Sequence, residues 1–196
     1  MFLGVILGFI AASMHVTAFT IHAWQTSKGV STPNPATWGL WTFISALNCA
    51  SFITMREHRI VGLLPIVSSI SCIVVFLIYL FRHKFSGLDF LENIALVLGV
   101  LAIFVWWHYH SATYANLVLQ PAIVISFVPT LRGVWKKPAV EKALPWFIWS
   151  PAYIFLMAGI FLKWEAKSLQ LVYPINSLIL HALVGILSLR KPKGDF

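Results

Sequence analysis

Polar side chains inside long apolar runs are where this chain could do chemistry, because each is expensive to hold in hydrocarbon. Asn48 and Asn176 stand in the runs 36–54 and 169–189. An amide offers two donors and an acceptor, which suits hydroxyl-rich or heterocyclic ligands. Its competing use is a hydrogen bond that glues two helices. Pro174, two residues before Asn176, frees backbone carbonyls at the same depth. Trp38 and Trp41 are three residues apart and share a helix face, as do Trp146 and Trp149. Indoles so placed could stack on a sugar or base ring, or belong to the aromatic belt at a membrane surface. Trp106, Trp107 and Tyr109 read as belt. His15 and His181 fall near mid-run, with His22 on the same face as His15. They are the places for a proton-linked role, against the plainer one of neutral histidines wedged between helices. His108 and His110 point about 200° apart on a helix, which argues against a shared metal.

Other chemistry is missing. There is no His-Glu-x-x-His zinc motif and no clustered acid, base and nucleophile, so no enzyme, metal site or cofactor is expected. The carboxylates Glu57, Asp89, Glu92, Glu141, Glu165 and Asp195 fall in loops, tails or at helix ends. That placement disfavours carboxylate-driven coupling and leans towards a facilitator. The run 169–189 holds no lysine, which excludes a retinal Schiff base there. Cys49 and Cys72 lie in apolar runs and read as small buried hydrophobes.

The elements that must position these residues follow from composition. The chain has 196 residues, of which 59% are hydrophobic and 10% charged. A soluble domain has roughly 25% charged residues, so the balance excludes an ordinary soluble enzyme, a disordered tail and a disulfide scaffold. An all-α integral membrane protein is left, with seven transmembrane helices over 3–23, 36–54, 61–81, 92–110, 115–135, 145–162 and 169–189. Each run is long enough for a span of about 20 residues. Continuous apolar runs require helices rather than a barrel. The first run lacks a basic leader and reads as a retained span. Of the fourteen lysines and arginines, four fall on the face holding the N-terminus and ten on the other. The positive-inside rule then places the N-terminus outside and the C-terminus in the cytoplasm. The net charge of +8 is a topology signal. It implies contact with anionic lipid head groups on the cytoplasmic face and no nucleic acid. Short loops and small size point to a bacterial inner membrane. A homo-oligomer is compatible with such a bundle.

The sequence also repeats. Trp38 and Trp41 match Trp146 and Trp149 at an offset of 108, as Glu57 and Arg59 match Glu165 and Lys167. Leu64-Pro65-Ile66-Val67-Ser68 matches Tyr173-Pro174-Ile175-Asn176-Ser177 at 109, and Trp24 matches Trp135 at 111. The expected organisation is a parallel repeat in a 3+1+3 arrangement: a first three-helix bundle over 1–83, a linker helix over 84–112, and a second bundle with a short basic tail over 113–196.

Ser126-Phe127-Val128-Pro129-Thr130 resembles the Ser-Pro-Val-Pro-Thr stretch of the SWEET sugar transporters and the Pro-Gln motif of their PQ-loop relatives. Glu141-Lys142-Ala143-Leu144-Pro145-Trp146 resembles the Gly-Leu-Pro-Tyr start of their span 6. Leu47-Asn48-Cys49 resembles the Leu-Asn-Cys of span 2, and Pro174-Ile175-Asn176 the Pro-Asn of span 7. The three-one-three build and tryptophan-rich character also resemble PnuC-type vitamin transporters. The resemblance implies a transporter that moves a small polar solute (sugar, nucleoside or vitamin) by alternating access. Asn176, Asn48 and the four tryptophans would bind it, with Phe52 where the family has a tryptophan. Hinge prolines are implied at Pro129, Pro145, Pro35, Pro65 and Pro174, with Ala18 standing where a further one would be. KDEL receptors mark the alternative, a seven-helix binding or sorting protein that uses this fold without transport.

Overall fold

A computed structural model describes residues 2–55, 63–82, 87–162 and 168–191. Among the described residues there are seven α-helices and no strand: α1 (Phe2–Ser27), α2 (Pro35–Thr54), α3 (Leu63–Arg82), α4 (Phe90–Tyr109), α5 (Ala112–Lys136), α6 (Ala143–Phe161) and α7 (Val172–Ser188). Short 3-10 turns at Pro138–Val140 and Ser168–Leu171 lead into α6 and α7.

Local signals set the helix starts. Pro35 occupies the first turn of α2, where its missing N–H costs nothing, and the Asn34 side chain accepts from the Ala36 N–H at 3.0 Å. Asp89 and Glu92 form a reciprocal capping box at α4. Ser111 caps α5, directly after His110 leaves α4 in the left-handed conformation.

Six helices are long and apolar enough to cross a membrane, the build of an integral membrane protein. The seventh, α2, carries Thr37, Thr42, Ser45, Asn48, Ser51 and Thr54. Its neighbours explain this: α3, α4 and α5 all pack on it, so little of its surface must be apolar. Elsewhere Phe9, Ile70, Val97, Phe104 and Ile179 face outward. An apolar exterior on this scale suits lipid and not water.

Six helices close a ring in the order α1, α3, α2, α5, α7, α6, with α6 returning to α1; α4 lies outside it against α5 and α2. Glycine allows the close approach of α4. A Cβ on Gly99 would stand 2.7 Å from the Phe43 ring of α2. One end of the ring gathers the C-termini of α1, α3, α5 and α7 with Lys28, Lys136, Lys137, Lys142 and Arg190. It is called the basic end below.

Candidate functional site

A cavity of about 70 Å³ lies inside the ring, lined by all six ring helices and by none of α4. Among the described residues no lysine, arginine, aspartate or glutamate lines it.

Towards the basic end its floor is aromatic. Trp38 and Trp41 of α2 stand 5.0 Å apart with an interplanar angle of 74°, and Trp146 and Trp149 of α6 stand 5.0 Å apart at 72°. Phe19 of α1 meets Trp149 at 4.8 Å and Trp38 at 6.1 Å; Phe127 of α5 meets Trp41 at 4.7 Å and Trp146 at 6.2 Å. Trp38, Trp146 and Trp149 are buried and Trp41 half-buried. These four therefore form a central floor and not a membrane-surface belt. Trp107 and Tyr109 do face outward, as belt residues should.

The middle layer holds His15, Tyr153 and His181. Tyr153 stands between the two imidazoles, 5.1 Å from His15 and 5.2 Å from His181. His181 Nδ1 lies 2.7 Å from the Ser177 carbonyl oxygen. A carbonyl only accepts, so Nδ1 carries a proton and Nε2 is left as an acceptor in the neutral ring. His15 is 1% exposed and Trp149 2% exposed, yet both His15 ring nitrogens and the Trp149 Nε1 lack a hydrogen-bond partner among the described residues. Leaving such a group unmet costs roughly 1–3 kcal/mol, so these atoms call for water or a solute in the cavity. The space admits about five waters at ~10–15 Å³ each.

Away from the basic end, Asn48, Ser68, Tyr173 and Ser177 line the cavity. Asn48 Oδ1 accepts from Asn116 Nδ2 at 3.0 Å, which also donates to Ser51 Oγ at 2.9 Å. Gln120 Nε2 donates to Asn116 Oδ1 at 3.1 Å, and Asn176 Nδ2 donates to Gln120 Oε1 at 3.4 Å. One string of amides thus crosses α2, α5 and α7. The sequence reading missed Asn116 and Gln120; their signal was two amides four apart in one apolar run.

The sites expected from the sequence are divided by this geometry. Asn48, the four tryptophans, His15 and His181 meet in the cavity. Asn176 spends its amide on Gln120 and is not among the lining residues; Phe52 packs on Tyr173 at 5.6 Å and is not either. Among the expected hinge residues Pro129 alone lies deep in a helix, where Pro121 accompanies it. Pro65 stands two residues after Leu63, where the described part of α3 begins; Pro35, Pro145 and Pro174 fall in first turns, where a proline removes no intrahelical hydrogen bond. These three do not interrupt their helices. Pro151 does lie inside α6.

Asp89 and Glu92 stand at the start of α4 and Glu141 in the connection before α6, as expected, yet two of these carboxylates are buried. Glu92 is fully buried, with one oxygen taking the Thr37 hydroxyl of α2 and the other the Asp89 N–H at 2.9 Å. Glu141, in the connection before α6, is 4% exposed. Its Oε2 receives the Ser31 hydroxyl and the Trp146 N–H, each at 3.3 Å, and stands 3.7 Å from His22 Nε2. Burial pushes its carboxyl up to about 8, with Trp146 and Ser31 pulling the other way. The loop carrying Ser31 folds over it, which a sequence window around Glu141 cannot reveal. Glu57, Glu165 and Asp195 lie outside the described residues, as do Arg59 and Lys167. No group of three or more metal-binding side chains occurs among the described residues.

Comparison with known proteins returns nothing: no family model matches the chain, and neither a curated protein nor a solved structure matches it.

Proposed function

We propose that this chain is a SWEET-like transporter of a small polar solute, working by alternating access across the ring. The observation that carries the reading is the central cavity, where buried His15 and Trp149 nitrogens have no partner among the described residues. A bundle built only for stability would fill or pair such a space. The solute is neutral, because no charged side chain among the described residues would offset the desolvation of an ion.

The two-bundle organisation is supported by mirrored contacts. In each half the third helix packs between the other two, and α1 on α6 is matched by α5 on α2. Phe19 and Phe127, 108 residues apart, meet the indoles of the opposite half at nearly equal distances. In the proposed topology α4 joins bundles 1–83 and 113–196 as the seventh span, and the basic end faces the cytoplasm of a bacterial inner membrane. Ligand sites of drug size occupy ~300–1,000 Å³, so a space of about 70 Å³ belongs to a contracted stage of the cycle. Pro129, with Pro121 and Pro151, supplies the helix flexibility that expansion needs.

Proteoliposomes tested with labelled sugars, nucleosides and vitamins should accumulate at least one of them down its gradient. A panel that stays outside, while a known facilitator moves its own solute in parallel, removes the transport reading. Solute that binds without crossing would instead assign the chain to the receptor or sorting class.

A further inference from the structure

Glu141 does more than sit in a loop. It joins four parts of the basic end: the α1–α2 connection through Ser31, α1 through His22, α6 through Trp146, and its own α5–α6 connection. Beside it the Thr32 N–H donates to the Val140 carbonyl oxygen at 2.9 Å, and the Ser31 hydroxyl reaches the same oxygen at 2.9 Å. Behind it His22 Nδ1 meets Thr26 Oγ1 at 3.3 Å, and Thr26 Oγ1 meets the Tyr79 hydroxyl of α3 at 2.7 Å. In front of it a second hollow of about 180 Å³, bounded by Thr32, Pro129, Gly133 and Val140, has Glu141 in its wall. The pair is thus buried where the two connections meet α1 and α6, and Glu141 borders a hollow large enough for water.

Resting on the transport reading above, we propose that Glu141 and His22 form a proton-binding latch that regulates the cavity. With the basic end closed, the pair holds one proton. When that end opens and water reaches Glu141, the proton passes to water in the adjoining hollow and leaves on the basic side.

A lone carboxylate buried beside a neutral imidazole is costly, and a proton on the carboxyl removes that cost. Among the described residues the surroundings supply no buried counter-charge to Glu141. From α1 the groups facing the pair are His22 and, at the helix end, exposed Lys28; from α3 there is Tyr79. From α2 and α6 come the indoles Trp38 and Trp146. From α5 come Arg132 and Lys136, both exposed. Flanking Lys137 is exposed and Lys142 half-buried. From α7 come only His181, in the cavity layer, and Arg190, whose guanidinium lies 4.2 Å over Trp135. Glu92 is different: Thr37 and the Asp89 N–H satisfy it in place. The direction of the effect agrees, since burial raises Glu141 from 4.5 to about 8. The closed form therefore binds the proton more tightly than a hydrated carboxylate would. Closure is favoured at low pH and is lost as pH rises through about 8.

The test uses spin labels at Lys28→Cys and Leu144→Cys in a C49S/C72S background, in nanodiscs, with no solute needed. Across pH 5 to 8 the ratio of short to long separations should fall by up to about tenfold per pH unit, the slope for one proton. E141Q, which cannot ionise, should stay at the short separation throughout. A ratio that ignores pH, or a Gln variant that keeps the pH response, overturns the latch. Should E141Q fail to fold, the unsubstituted protein still decides: a protonated carboxyl band in its infrared spectrum should persist at pH 6.5 and vanish by pH 9. Absence of that band at pH 6.5 also overturns it. The two proposals fail separately, because a pH-responsive separation without solute uptake spares the latch, and uptake with a pH-blind separation spares the transporter.

Discussion

His15 carries two buried ring nitrogens that find no hydrogen-bond partner among the described residues. His15→Leu should abolish uptake while the thermal unfolding midpoint of the solute-free protein holds or rises, because an unmet buried group has been replaced by an apolar one. A large fall in that midpoint would mean that His15 is structural. Glu141 fixes the sign of a pH effect on stability. Its value in the fold lies above the ordinary one, so its contribution is complete below about 4.5 and is lost as pH rises through about 8. The unfolding midpoint should accordingly drop between pH 6 and pH 9 in the unsubstituted protein and stay level in E141Q. The sequence made His15, His181 and the tryptophans legible because polar or large aromatic groups in apolar runs announce themselves. It misdirected attention to Asn176. Tyr173, Ser177 and His181 follow one another at a spacing of four and share the cavity face of α7, while one residue of helix rotation, ~100°, turns Asn176 towards α5. No feature of the run itself says which of these faces looks inward.

At the scale of the helix, the α5 amides tie α2 to α7. Asn116→Leu would remove the donor to Asn48 Oδ1, at roughly 1–3 kcal/mol if that oxygen is left unmet, while Ser51 and Gln120 keep backbone partners. A lowered unfolding midpoint with solute affinity largely retained in the surviving protein would confirm a structural string, whereas lost affinity at unchanged stability would place Asn116 in the binding site. Pro129→Ala addresses the hinge. If α5 flexes there, the transport rate should fall several-fold while equilibrium binding stays the same; a change confined to binding would count against flexing. Outside α3, helix bounds were the most legible feature, each within four residues of its expected place, because a continuous apolar run ends only where polar or proline residues permit an exit. The mild apolarity of α2 looks anomalous in the sequence. It makes sense only once α3, α4 and α5 cover it, a fact about neighbours that one segment cannot encode.

For the whole molecule, alternating access requires the two connections at the basic end to part. Cysteines at Thr32 and Val140, whose backbones are joined by a 2.9 Å hydrogen bond, should stop uptake when bridged and restore it on reduction; unimpaired uptake in the bridged protein would mean that this seam does not open. The repeat in the sequence is what suggests the proposed two-bundle design, whereas the cavity volume and its closed side depend on how six helices meet and have no signature in any one of them. The exclusion of α4 from the ring bears on how the chain is made. Since α4 contributes no wall to the cavity, the proposed two-bundle organisation gives it the part of a tether, in which continuity of the polypeptide is dispensable. Two separately synthesised fragments, broken between α3 and α4, should find each other in the bilayer and regain activity. Shortening α4 below the membrane thickness should instead turn the second fragment upside down and leave it inactive.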